Sequence, residues 1–174
     1  MTARKDYRSQ IEGLAKEALA GHALTVVRAD GEGKPFVWKV CSADPAKWPY
    51  WYFVAELPGA IVQYGDIGGL MIEAGQGYDL GWLDGAMGSM DYVLGKSKAK
   101  RDYFVEELFR AYLVEHDYSV DDYESYEDFV IDTGNTEAYE CVHDWPSEAL
   151  WAYWALHKFV ELRRAEKAAA CPTT

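Results

Sequence analysis

The chain holds only three cysteines, Cys41, Cys141 and Cys171. An odd, widely spaced set cannot staple a small secreted fold, so a disulfide framework is excluded and a reducing cytoplasm is expected. No apolar run approaches the roughly 20 residues of a membrane-spanning helix. Arg4 and Lys5 are not followed by an apolar stretch, so no secretory leader is expected. Glycines cluster between Gly65 and Gly95, but none of their spacings gives the dinucleotide fingerprint or the Gly-Lys-Ser/Thr of a phosphate loop. Turns and close packing account for them. Gly88-Ser89-Met90 is not a nucleophile elbow.

The most informative absence is of basic residues. Between positions 111 and 157 there is not one Lys or Arg. The same stretch holds twelve acids: Glu115, Asp117, Asp121, Asp122, Glu124, Glu127, Asp128, Asp132, Glu137, Glu140, Asp144 and Glu148. The rest of the chain has as many bases as acids, so the whole net charge of −12 belongs to this segment. A localised negative surface repels nucleic acid, whose phosphates need Lys and Arg, and attracts proteins with basic grooves. The bland alternative is a solvated acidic face that keeps the protein dispersed. Tyr112, Tyr118, Tyr123, Tyr126, Phe129, Tyr139 and Trp145 are interleaved with the acids. Such aromatics serve either as interface anchors or as the buried faces of amphipathic helices.

With 174 residues, of which 49% are hydrophobic, a single domain over 1–174 with a sizeable core is expected. Residues 3–20 read as a helix that buries Tyr7, Ile11, Leu14, Ala15, Ala18 and Leu19 and stops at Gly21. Strands are expected at 24–29, 35–41, 50–57, 60–64 and 69–74, joined by turns at 30–34, Pro58-Gly59 and 65–68, with 75–77 closing the region. From there the period becomes helical. Short helices are expected at 78–87 and 89–96, and a longer one at 98–115 burying Tyr103, Phe104, Leu108, Ala111 and Tyr112. Two more fall near 120–132 and 136–143. A last helix begins at Trp145-Pro146 with Asp144 as its N-cap, and a frayed tail follows from 168. The order of elements predicts an α+β fold. An antiparallel meander of about five strands spans 1–76 with the N-terminal helix, and a helical part spans 77–174.

Catalytic and metal motifs are weak. His116, Cys141 and His143 are the only set that would ligate a metal, and they form one short-spaced pair where zinc sites use two. Cys141 with His143 is too close in sequence on a helix for a nucleophile–base pair, and Cys41 reads as a small core residue. Asp66 reads as a turn residue, and Asp91 or Ser89 as a helix cap. His22 is placed to cap the first helix, and His157 reads as structural. No catalytic residue, metal or cofactor is therefore expected. A small enzyme built around Asp66, Asp91 and Tyr92 is the least favoured reading.

The aromatic strand from Tyr50 to Leu57, the Pro58-Gly59 turn, Gly65-Asp66-Ile67-Gly68, Trp82, Gly85-Ala86, Ser89, Asp91-Tyr92-Val93 and Lys96 form one pattern. It resembles a group of uncharacterised bacteriophage-encoded proteins, which also carry a Trp-rich C-terminal helix. That resemblance implies no catalytic residue. It implies a role in the host cytoplasm, where small acidic phage proteins act against defence systems, anti-CRISPR proteins among them. The expectation is then a non-enzymatic inhibitor that binds a Cas protein or complex by mimicking nucleic acid. Its contact residues would be Asp117, Asp121, Asp122, Glu124, Glu127, Asp128 and Asp132, with Tyr123 and Tyr126 as anchors. No direct nucleic-acid or membrane binding is expected, and seven tryptophans leave room for a homodimer. The alternative is a phage replication or assembly factor whose interface is the Gly-rich middle, around Asp66 and Trp82, with the Trp-rich helix.

Overall fold

Alternating apolar residues and tight turns build a meander first. In the computed structural model, which describes residues 2–32, 35–44, 50–73, 79–101 and 103–170, five antiparallel strands follow one another in chain order. They are β1 (His22–Ala29), β2 (Pro35–Ser42), β3 (Tyr52–Leu57), β4 (Ala60–Gly65) and β5 (Gly68–Glu73). With helix α1 (Thr2–Leu19) before them and helices after them, the fold is α+β, as expected from the sequence. The expected turn at 75–77 and Cys171 lie outside the described residues.

The chain forms two compact units, one of Met1–Ile11 with Lys100–Pro146, the other of Glu12–Ala99 with Ser147–Thr174. In the larger unit the strands carry two faces. Trp38, Val40, Tyr52, Val54, Leu70 and Ile72 are buried on the inner one, which is covered by helix α7 (Ser147–Ala170). Phe159 of α7 meets the Trp38 ring edge-on at 5.4 Å, and the Tyr52 hydroxyl donates to the Ala155 carbonyl at 2.8 Å. Two short helices, α2 (Leu80–Ala86) and α3 (Met90–Gly95), follow the sheet. Tyr153 of α7 donates its hydroxyl to the Met87 carbonyl just past α2. Gly65 has to be glycine, because a Cβ there would lie 2.6 Å from the Tyr52 Cα.

Several local expectations are corrected. Tyr50 is not in a strand: its φ is +80°, which a bulky residue avoids. Three contacts hold it there. Its N–H donates to Asp66, its carbonyl accepts from His22, and its ring stacks on Trp151. His22 therefore does not cap α1; it is buried at the start of β1. Cys41 is half-buried on the outer face of the sheet rather than in the core. Leu14, expected inside, is 49% exposed. Ser89, not Asp91, takes the N-cap position of α3. Ser97 bridges to Ile72 and the Lys98 N–H donates to Met71, so the chain there follows the β5 edge and the helix expected from 98 starts later. The last helix continues through Ala170 instead of fraying at 168. Among the described residues no helix is long and apolar enough to cross a membrane.

The smaller unit contains the N-terminal turns of α1, a two-stranded ribbon of β6 (Tyr103–Phe104) and β7 (His143–Asp144), and helices α4 (Glu106–Glu115), α5 (Tyr126–Thr133) and α6 (Tyr139–Val142). A single 3-10 turn spans Val120–Asp122. Pairing of Tyr103 and Phe104 with β7 is what shortens the helix expected over 98–115. Tyr103 is half-exposed, and the stripe facing inward is Leu108, Phe109, Tyr112 and Leu113.

Candidate functional site

The acidic segment is laid over an aromatic core. Phe129 of α5 is wholly buried and takes ring edges from Phe109, Tyr112, Tyr118 and Tyr123 at centroid distances of 5.0–6.0 Å. Each such pair adds about 0.5–1.5 kcal/mol beyond its burial. Leu113, Ala138 and Val142 complete the centre. Of the interleaved aromatics, Tyr112, Phe129 and Trp145 are buried, Tyr118, Tyr123 and Tyr126 half-buried, and Tyr139 exposed. Most of them are therefore the floor on which the acids stand.

Local chemistry sets each turn. Helix α4 ends in a left-handed residue, Asp117, with φ +61°. The Tyr118 N–H donates to the Leu113 carbonyl and that of Asp117 to Val114, which is a Schellman ending with Asp in the place usually held by Gly. Ser125 caps α5 by accepting from the Asp128 N–H, and Gly134, φ +68°, closes it. The Asn135 amide then donates to the Tyr112 hydroxyl and its oxygen accepts from the Glu137 N–H, which fixes the turn into α6.

Every acid expected to touch a partner is exposed: Asp117, Asp121, Asp122, Glu124, Glu127, Asp128 and Asp132. Asp121 and Asp122 sit on the 3-10 turn, Glu127, Asp128 and Asp132 on α5, and Glu124 between them. Of the two expected anchors, Tyr123 donates its hydroxyl to Asp132 at 2.9 Å. That bond, ahead of burial and the nearby carboxylates, raises its phenol above the ordinary value. Burial, with Tyr139 and Tyr112 nearby, raises the Tyr126 phenol. Both tyrosines are half-buried.

Two of the twelve acids do not belong to this face: Glu148 lies on α7 in the larger unit, and Asp144 is buried. Asp144, expected to cap α7, is wholly buried in β7 and receives three arginines. Arg8 makes a two-point contact, Nε to Oδ2 at 2.7 Å and Nη2 to Oδ1 at 2.5 Å. Arg4 and Arg101 each bring Nε to 3.6 Å, while Arg4 also donates through Nη2 to the Glu140 and His143 carbonyls. The other eleven acids of the stretch are exposed.

The structure does not bring the alternative chemistries together. His116 lies against Tyr112, the His143 Nδ1–H donates to the Tyr139 carbonyl, and Cys141 is exposed. Among the described residues no three His, Cys, Asp or Glu side chains are placed to hold a metal ion. Asp66 is taken by the Tyr50 N–H, and Tyr92 lies against Trp82 and beneath Lys96. Sequence reasoning missed Ile131, which is 82% exposed beside Tyr139. Its apolar side chain reads as ordinary core, but it stands two positions beyond the buried Phe129, which puts it on the outward side of α5. Compared with family models, curated proteins and solved structures, the chain matches none of them.

Proposed function

We propose that the protein is a non-catalytic binder that docks its acidic face into a basic, nucleic-acid-binding groove of a host defence protein. A Cas protein or complex is the partner in view. One observation carries this reading. Ten exposed carboxylates of the smaller unit stand around an ordered aromatic core in a segment without Lys or Arg. Carboxylates carried on a 3-10 turn and a short capped helix meet a basic channel without the ordering cost that a flexible acidic tail would bring. Asp121, Asp122, Glu124 and Glu127 are the leading contacts. Tyr123 and Tyr126, both half-buried, are the anchors among them.

The test is a pull-down from a lysate containing an active CRISPR–Cas system, at low and moderate salt, followed by elution with DNA or RNA. The expected result is a nucleic-acid-binding protein that nucleic acid displaces. The Asp121→Lys, Asp122→Lys, Glu124→Lys, Glu127→Lys variant should melt as the parent does and retain nothing. Equal retention by that variant overturns the proposal. Loss on substituting Asp66 or Trp82 instead would move the interface to the larger unit and favour a replication or assembly factor.

A further inference from the structure

Helix α5 turns Phe129 into the core, and a residue two positions on points the opposite way. That residue is Ile131, 82% exposed. It does not stand alone. Tyr126, Glu127, Val130 and Ile131 of α5 line an open groove with Thr136 and Tyr139, and Tyr139 is itself 42% exposed. The floor is thus aliphatic and aromatic, and Glu127 sits in it. Asp128 and Asp132 follow on the same helix, and Glu137 and Glu140 flank Thr136 and Tyr139 in the chain. These four acids are all exposed.

The charge selects the occupant. Nucleic acid is repelled, as is any acidic segment. A second copy of this groove would bring the same carboxylates against their like, which disfavours self-pairing. What fits is a positively charged surface with an aliphatic side chain at its centre: an apolar anchor desolvated within a rim of opposite charge.

We infer that the groove between α5 and Tyr139 receives a leucine-sized side chain from a basic segment of the partner protein. Lysines or arginines on either side of that residue would meet Glu127, Asp128, Asp132, Glu137 and Glu140. This deepens the proposed function and rests on the acidic face being the docking surface. It adds an anchor that a purely charge-based contact lacks.

The experiment uses the full chain and two 14-residue helical peptides of equal charge. One carries leucines at helical spacing among lysines; in the other the leucines are alanines. Affinities are read by fluorescence anisotropy at about 0.1 M salt, where exposed charges still act over about 10 Å. The leucine peptide should bind at least about tenfold tighter, since burying one such side chain is worth that ratio. Ile131→Ser should bring the ratio close to one while leaving the alanine peptide unchanged, and Ile131→Leu should keep the ratio. The exposure of Ile131 leaves the fold intact in both variants, which melting checks.

A ratio near one in the parent, or an unchanged ratio in Ile131→Ser, overturns the groove. If the alanine peptide still binds and the four-lysine variant loses it, the acidic face survives that result. If neither peptide binds the parent, both readings fail. Concentration-dependent dimers in the parent that Ile131→Ser abolishes would assign the groove to a second copy and overturn the inference.

Discussion

Asp144 shows how one residue can be misread by its neighbours in sequence. Preceding Trp-Pro-Ser-Glu, it has every local mark of a helix cap, yet it is buried under Arg4, Arg8 and Arg101. Two of those partners lie 136 residues or more away along the chain, so no window of sequence contains the signal. Removing the carboxylate would strand the guanidinium groups, and breaking a buried pair on one side costs about 3–5 kcal/mol. Because the three guanidinium groups keep part of their contact with water, Asp144→Ala should lower the unfolding free energy by less, up to about 3 kcal/mol, in urea melts. His22 gives a pH signature. Burial first, and then Lys158, hold its imidazole below the ordinary 6.5, against the opposing effect of its bond to Tyr50. The unfolded chain then protonates at His22 before the native one does. Stability from this site is whole above about pH 6.5 and is lost as pH falls below it. Melts at about pH 7.5 and about pH 5.5 should show that loss, and His22→Asn should shrink it.

At the scale of elements, the strands were the most readable part of the chain. Aromatic and β-branched runs between Pro-Gly and Gly-Asp-Ile-Gly turns predict five strands, and the structure has them in the same order. Helix lengths were less readable, because Tyr103 and Phe104 fit either a helix stripe or a strand pair, and their choice depends on distant β7. The acidic segment was readable as charge and as short helices, but its sorting into aromatic floor and exposed groove was not. Position 131 differs from position 129 only in which way a helix of eight residues faces. That helix depends on its ends. Ser125→Ala removes the N-cap and should cost about 1 kcal/mol. Amide exchange should rise across α5 while the sheet of the larger unit keeps its protection. Uniform loss across both units would show that α5 does not open separately.

Over the whole molecule the charge is unevenly shared. Counted by residues, the unit of Met1–Ile11 and Lys100–Pro146 carries nine of the twelve surplus negative charges. A field concentrated on one unit acts on encounter more than on residence. Raising salt from about 0.05 M to about 0.5 M should slow association with a basic partner by one to two decades and change dissociation far less. Stopped-flow measurement with the leucine–lysine peptide checks this, and equal effects on both rates would count against steering.

The arginine contacts to Asp144 also impose an order in time. Hairpins of the meander join residues close in the chain and can form as soon as they are made. The smaller unit is different: Arg4 and Arg8 wait at the beginning of the chain for a carboxylate supplied more than a hundred residues later. On the ribosome the sheet strands would all emerge before Asp144 does. The acidic unit can thus close only once Asp144 is made, and the larger unit later still, when α7 follows; a fragment spanning only Lys100–Pro146 would lack two of the three cations that meet its buried charge.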